Sequence, residues 1–247
     1  MLRENISAQL DNDPDFRWRG EQVSRIENLS DIVFALAFSM IVTASDTPFT
    51  FSGIKTYLIS LVPISMAVIV LLATWNRHFL FFRRYGLADN RIVWLNAMLL
   101  LTILSIAYPL RFIFDSLFAW ALAMMGSFEM MERIEVGSYR QAGEIVAYFG
   151  VIFAVLNLLQ SQIYAHALSK SDMLALNDLE RAHTIYSVRV ARLDVVTGGL
   201  AAGLAYWTIL GPFAGFLVQV ALPIRWILRR MTLLPAQRVA ASNSPAP

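Results

Sequence analysis

The chain contains no cysteine, and Lys55 and Lys170 are its only lysines. Without cysteine it can have no disulfide framework, no thiolate metal site and no thiol nucleophile. Arginine supplies the rest of the positive charge, and it suits headgroup and interhelix contacts because its guanidinium is weakly hydrated and forms forked hydrogen bonds. No run of basic residues is interleaved with aromatic residues, so we expect no nucleic-acid partner.

Charge of either sign is scarce as well. Charged residues make up 15% of the 247 residues, whereas a soluble domain carries about a quarter. Hydrophobic residues make up 57%, and the mean hydropathy is +0.55. Several apolar runs reach the roughly 20 residues needed to cross a bilayer. The composition therefore predicts an all-α, polytopic membrane protein whose surroundings are the lipid bilayer.

Signatures of catalysis and of metal binding are also missing. The histidines, His78, His166 and His183, do not have the spacing of a metal-binding motif. No nucleophile–base pair, phosphate-binding loop or regular arginine ladder of a voltage sensor is present. We therefore expect no enzymatic activity, no metal site and no cofactor.

Six apolar segments are long enough to be transmembrane helices. The predicted spans are about 24–45, 56–76, 91–111, 141–165, 190–210 and 212–229. The first starts too late and is too long for the apolar core of a signal peptide, so we expect it to remain in the protein. The predicted organisation is an N-terminal segment at 1–23, a six-helix membrane domain at 24–232 and a disordered tail at 233–247.

Two regions between the spans are predicted to face water. Residues 166–188 carry charges of both signs and are interpreted as a solvated linker. Residues 112–138 are interpreted as an amphipathic external segment, because three glutamates follow its apolar first half. That first half is apolar enough to extend the third span instead, or to form a further membrane or interfacial helix.

The positive charges indicate an orientation. All lysines and arginines except Lys55, Arg111, Arg133 and Arg140 fall in the N-terminal segment, in the loops after the second and fourth spans, or near the C-terminus. Cytoplasmic loops carry an excess of Lys and Arg. We therefore expect both termini to lie in the cytoplasm.

The first span differs from the others because a polar stretch, Arg25–Asp31, opens it. Asp31 is the acidic residue placed inside this span, and an ionised carboxylate within a membrane is costly unless it is paired or faces water. Residues three and four apart share a helix face, and from Leu36 this spacing collects one mostly apolar stripe, with Asp31 nearly opposite. The stripe is Leu29, Ile32, Val33, Leu36, Ser39, Met40 and Thr43. Taken alone, it is more typical of packing against lipid or another helix.

Three motifs favour a functional role for this helix over simple packing. Arg25, three residues, then Leu29-Ser30-Asp31 resembles the Arg-x-x-x-Phe-Ser-Asp signature of the endosomal/lysosomal potassium channel family (transmembrane protein 175), in its prokaryotic six-helix form. The stretch from Trp75 to Phe81 is similar to the family's Trp…His-His…Leu-Phe at the end of helix two, and Trp94-Leu95-Asn96 is similar to its Trp-Leu-Asn in helix three. Leu29 replaces the signature's phenylalanine, and Arg77 replaces one of the paired histidines.

The resemblance implies a homotetramer in which helix one of each subunit lines a central pore. On this pattern Leu36 forms the narrowest ring, Ser39 matches the family's hydroxyl layer, and Met40 and Thr43 lie below on the same stripe. The chain has no Thr-Val-Gly-Tyr-Gly carbonyl filter. Selectivity must then come from a hydrophobic constriction, which can also gate by dewetting.

The remaining motif residues are predicted to form an interhelix network. Asp31 is interpreted as a structural latch beside Ser30 that faces the helix bundle. It would pair with Arg25 or Arg77, or accept hydrogen bonds from His78, Trp94 or Asn96, and so tie helix one to helices two and three.

The sequence thus favours a potassium-selective cation channel with passive, leak-type conduction, placed in a bacterial inner (cytoplasmic) membrane. Its partners would be permeant K+, the bilayer and further copies of the chain. Two alternatives stay open. One is a proton-coupled secondary transporter that uses Asp31 and Asn157 as a relay, although no convincing inverted repeat is present. The other is a non-conducting membrane scaffold.

Overall fold

The fold is known from a computed structural model that describes residues 16–20, 22–43, 50–134 and 138–242. These residues form helices and connecting turns, with no strand among them. The α-helices are α1 Arg25–Thr43, α2 Phe51–Tyr85, α3 Asn90–Met124, α4 Tyr139–Ser169, α5 Asp178–Trp207 and α6 Ala221–Ser242. Two 3₁₀ segments, Met131–Arg133 and Gly211–Val220, lie before α4 and α6. The all-α fold class is confirmed.

Five helical segments of the described chain are long and apolar enough to cross a membrane. They are Arg25–Thr43, Gly53–Tyr85, Asn90–Met124, Tyr139–Ser169 and Gly211–Arg238. The fifth of these joins the second 3₁₀ segment to α6, where the last span was predicted. The predicted span at 190–210 lies largely in α5, which is less apolar because its first turns carry several charged side chains.

The helices from α2 to α6 are longer than the apolar runs that predicted them, and side-chain caps set where several of them begin. Thr50 accepts a hydrogen bond from the Gly53 backbone at the start of α2, and Asp89 accepts one from the Ile92 backbone at the start of α3. Asn177 and Glu180 form a reciprocal capping box at the start of α5. Apolar periodicity alone does not carry this information.

Three predicted boundaries differ in the structure. Residues 112–124 continue α3, so the first half of the predicted external segment is neither a loop nor a separate helix. The predicted linker at 166–188 is mostly helical, with turns and a short connection from Lys170 to Asn177. α6 continues to Ser242, into the segment predicted to be a disordered tail, and residues 243–247 lie outside the described part. The same holds for residues 1–15 of the predicted N-terminal segment.

The main core lies among α1, α2, α3 and α4. α1 packs on α2 and α3, while α5 packs on α4, α6 and the second 3₁₀ segment. Phe34, Ala37 and Ile41 of α1 are almost fully buried in this core. Two polar contacts join neighbouring helices: the Asp89 carboxylate lies 2.6 Å from Nε2 of His166, and Arg225 of α6 forms an ion pair with Asp194 of α5 at 2.5 Å.

α4 and α5 cross closely where glycines face each other. A Cβ on Gly150 would lie 2.9 Å from the Gly198 carbonyl oxygen, and a Cβ on Gly198 would lie 2.8 Å from Phe153. Gly199 and Gly203 of α5 also have the four-residue spacing that lets helix backbones approach closely, but they do not make this crossing. A Cβ on Gly199 would meet nothing within 4 Å, and one on Gly203 would meet only Trp207 of the same helix.

We expect Gly150→Ala to lower the free energy of unfolding by about 1–3 kcal/mol, because the added methyl would press on the backbone of α5. Thermal unfolding of the purified protein in detergent measures this. Gly199→Ala is the matched control, because its methyl enters open space. Equal loss of stability in both variants would contradict the close crossing at Gly150.

Candidate functional site

α1 has one buried and one exposed face in the single chain. Phe34 is 1% exposed, and Ala37 and Ile41 are fully buried. On the other face the exposed fractions are 57% for Leu29, 66% for Ile32 and 52% for Leu36. A largely apolar face left open on a membrane helix must meet lipid, another copy of the chain or a pore. Leu29, Ile32 and Leu36 of the predicted stripe lie on this face, whereas its Val33 is half-buried and packs against the core.

The polar members of the stripe also lie on the open face. Ser39 and Thr43 are exposed, whereas Met40 is half-buried and packs against the core. The Ser39 hydroxyl donates to the Ala35 carbonyl at 3.0 Å, and the Thr43 hydroxyl donates to the Ser39 carbonyl at 2.8 Å. Because each hydroxyl donates its hydrogen to a backbone carbonyl, the lone pairs of its oxygen can accept a hydrogen bond from water or bind a cation. Met40 therefore sits at the edge of the stripe rather than on it.

A buried hydrogen-bond chain joins the first three helices. Asn96 of α3 donates from Nδ2 to the Ser30 hydroxyl at 2.9 Å, and its Oδ1 lies 2.7 Å from Nε2 of His78 on α2. The Ser30 hydroxyl donates in turn to the Ile26 carbonyl at 2.7 Å. Ser30 is fully buried, Asn96 is 3% exposed and His78 is 7% exposed. The structure thus brings three predicted network residues together.

Asp31 has a different partner from those predicted. Its Oδ1 accepts a hydrogen bond from the indole Nε1 of Trp75 at 2.8 Å, and the carboxylate is on the exposed side of α1. Trp94 is 66% exposed and Arg25 is also exposed, so neither contributes to the buried chain. Asp31 still ties α1 to α2, but through the tryptophan and at the surface. The expectation that it faces the bundle is corrected.

Arg77 lies beside the buried chain without bonding to Asp31. It lines a small cavity of about 10 Å³ together with His78 and Asn96. Its backbone carbonyl accepts a hydrogen bond from the Tyr164 hydroxyl of α4 at 3.3 Å. A space of this size holds at most about one water. Arg77 therefore belongs to the surroundings of the network.

Both ends of α1 are anchored by side chains that the sequence analysis did not select. At the start, Ser24 and Glu27 form a reciprocal capping box, and Arg83 lies 3.7 Å from Glu27. At the end, buried Arg111 of α3 donates to the Ile41 carbonyl at 2.6 Å and to Asp115 at 2.8 Å. Ser-x-x-Glu before an apolar run is a readable capping signal. Nothing in the sequence pairs Arg111 with a carbonyl seventy positions away.

Comparison with known proteins bears on what this arrangement does. Residues 25–106 match the family described as endosomal/lysosomal potassium channel TMEM175. This range contains α1, α2, the start of α3 and all three motifs. The predicted resemblance to the TMEM175 family is confirmed.

Two relatives extend the likeness beyond the first three helices. A protein of Marivirga tractuosa named "Potassium channel" is 29% identical over 247 residues, which cover 96% of this chain and 99% of that protein. A crystal structure of a variant of the potassium channel MtTMEM175, in complex with a nanobody fusion protein, matches with a TM-score of 0.78 and 28% identity. That match covers 89% of this chain and 97% of the solved one. The chain is therefore similar to potassium channels over most of its length, and both of these relatives are named as potassium channels.

No group of three or more histidine, aspartate or glutamate side chains could hold a metal ion within the residues that the structure describes. The polar groups near α1 instead bond to one another. These bonds therefore hold α1 in place, and one of its faces stays exposed in the single chain.

We expect Asn96→Ala to lower the free energy of unfolding by about 1–3 kcal/mol, because Ser30 and His78 would lose a buried partner. Denaturant unfolding in detergent and the yield of assembled protein measure the effect. Asn76→Ala is the matched control, since Asn76 is exposed on α2. If both variants lose the same stability, the buried chain does not hold the helices.

Proposed function

We propose that four copies of this chain form a potassium-selective leak channel in which the open face of α1 lines a central pore. The observation that carries the proposal is the position of Leu29, Ile32 and Leu36 on an exposed, mostly apolar face of a helix long enough to cross the membrane. The similarity to potassium channels supports it, because it covers this helix and its motifs.

The proposed pore has its constriction at Leu36. Four leucine side chains facing one axis would form a narrow apolar ring that repels water and ions together and can close by dewetting. Ser39 and Thr43 follow on the same face, at about 5 Å and about 10 Å along the helix. Their hydroxyl oxygens would meet an ion that has shed water at the ring. Potassium loses its hydration water more cheaply than sodium, so the ring favours potassium modestly.

The buried Ser30–Asn96–His78 chain then serves as the support of the pore. A hydrophobic ring discriminates between cations by its width, and that width depends on the position of each α1. The hydrogen bonds to α2 and α3 hold one turn of α1 in place, and the Arg111 bond to the Ile41 carbonyl holds its far end. In this proposal the motif residues support the helix, and ions pass along the stripe.

Contacts at one end of the molecule support the predicted orientation in the inner membrane. Arg19, in the segment before α1, bonds to two neighbouring parts of the chain. One is Arg83 at the end of α2, and the other is Leu174 in the turn between α4 and α5. These are the regions in which most of the positive charge lies. By the positive-inside rule this end is cytoplasmic, and so is the N-terminus.

The transporter alternative receives less support from the geometry. A relay needs its polar groups to connect, but Asp31 is exposed and bonded to Trp75, whereas Asn157 is fully buried and donates to the Phe153 carbonyl of its own helix. The two side chains thus have separate partners on separate helices.

Ion flux through the purified protein in liposomes tests the function. A channel gives passive potassium efflux down its gradient that does not depend on a proton gradient. Saturable flux driven by protons would contradict the channel and support the transporter. Absence of flux, in protein shown to be folded and assembled, would support the scaffold.

Leu36→Ala and Leu36→Asn test the constriction. We expect both to raise cation flux and to lower the preference for potassium over sodium, because the ring becomes wider or wetter. Leu58→Ala is the matched control, since Leu58 on α2 is similarly exposed, at 58% against 52% for Leu36. Unchanged conduction and preference in both Leu36 variants would place the constriction elsewhere.

A further inference from the structure

The segment immediately before α1 is fastened to the rest of the molecule. We define Phe16–Gly20 as the N-terminal strap. The backbone amides of Arg19 and Gly20 donate to the Arg83 carbonyl at 2.9 and 3.0 Å, and the Arg83 guanidinium donates back to the Gly20 carbonyl at 2.9 Å. A Cβ on Gly20 would lie 2.3 Å from the Phe82 carbonyl oxygen, so the strap backbone lies directly on the end of α2.

The strap also binds the start of α5 through a buried ion pair. Arg19 donates from Nη1 and Nη2 to the two carboxylate oxygens of Glu180 at 3.0 and 2.7 Å. Glu180 is 1% exposed and accepts a third bond from the Arg17 backbone at 2.8 Å. Arg19 further donates to the carbonyls of Leu174 and Ala175 at 2.7 and 3.1 Å. A forked, buried pair of this kind fixes position as well as distance.

An aromatic side chain secures the first residue of the strap. Phe16 is 4% exposed and packs edge-on against Tyr85 with ring centroids 5.3 Å apart. The guanidinium of Arg84 lies 4.9 Å from the centre of the Phe16 ring. The Tyr85 hydroxyl is 2.7 Å from the Thr184 hydroxyl on α5. The strap is therefore held at both of its ends.

The strap connects helices that belong to different parts of the fold. α1 packs on α2 and α3, whereas α5 packs on α4 and α6. From Gly20 the chain needs only a short connection to reach Ser24, the cap of α1. At about 3.5 Å per residue, that connection spans at most about 14 Å. The strap therefore limits how far the start of α1 can lie from the end of α2 and the start of α5.

We propose that Arg19 and Glu180 are positioning residues that fix the entrance of α1 relative to α5, and that this fixes the width and selectivity of the pore. This inference rests on the proposed channel function for its second half only. The position of α1 can be measured without any flux.

The charge state of Glu180 agrees with a permanent clamp. Burial acts to raise the pKa of its carboxyl, but the hydrogen bonds from Arg19 and from the backbones of Asn177 and Arg17 outweigh it and lower the pKa below its usual value. A lowered pKa means that the stabilisation is fully present above the usual value and is lost as pH falls through the lowered one. The Glu180 carboxyl therefore stays ionised throughout the neutral range.

The test uses spin labels at Asn28→Cys, an exposed position in the first turn of α1, in a chain that has no other cysteine. A second label at Val196→Cys, an exposed position on α5, gives a pulsed-dipolar distance within one chain that reports the entrance of α1 relative to α5. We expect Arg19→Gln and Glu180→Gln each to broaden the distance distribution and to lower the potassium-to-sodium flux ratio about twofold to tenfold. The double variant should do no more than either single variant, because both remove the same pair.

Asp172→Asn is the matched control. It breaks an ion pair between Asp172 and Arg181 that lies near the clamp but is exposed, with side chains 99% and 47% accessible. We expect neither readout to change in it. Where Glu180→Gln yields no folded protein, Arg19→Lys keeps the charge but loses the fork, and an intermediate broadening is expected.

The outcomes separate the two proposals. Unchanged label distances in the clamp variants overturn the positioning role, whatever the flux. Broadened distances with an unchanged flux ratio overturn the link to selectivity. If unlabelled wild-type protein conducts no potassium, the channel function fails, and the distances alone then decide whether the clamp positions α1.

Discussion

The structure depends most on the satisfaction of one buried amide, that of Asn96. An amide inside a helix bundle costs several kilocalories per mole when it lacks partners, so it must find them on neighbouring helices. Asn96 finds Ser30 on α1 and His78 on α2. A slip of α1 or of α2 by one residue would break one of these bonds, and a slip of α3 would break both. The pair of bonds therefore fixes one level of α1 within the fold, and the open stripe keeps its direction as a consequence.

Much of this site could be predicted from the sequence because its signals are local. The apolar runs located the helices that contain the spans, and helical periodicity placed Leu36, Ser39 and Thr43 on one face. The three motifs, read in order, identified the resemblance to potassium channels and selected Ser30, His78 and Asn96, which the fold brings together. The pore role of the stripe stays a proposal, because it depends on copies of the chain and not on one.

The contacts that the sequence analysis did not predict join residues that are far apart in the sequence. Asp31 is bonded to Trp75, and Arg19 to Glu180 across a sequence separation of 161, and no periodicity or spacing rule pairs such residues. The glycines show the same limit. Gly199 and Gly203 have the familiar spacing, yet Gly150 and Gly198 make the close crossing, because which face of α5 meets α4 is a property of the tertiary packing. The starts of α2, α3 and α5 are set by side-chain caps, which the length of an apolar run does not reveal.

The lengths of the helices have a consequence for the membrane voltage. α1 has 19 residues and is about 28 Å long, which matches a hydrocarbon core of about 30 Å. α2 and α3 have 35 residues each, about 52 Å, and must project beyond that core. In the proposed channel the projecting parts of the longer helices would then wall water-filled vestibules on either side of the hydrocarbon core, while α1 is only as long as that core. Most of the voltage would fall across the few ångströms around Leu36, where an ion has the fewest waters and the field does the most work on it.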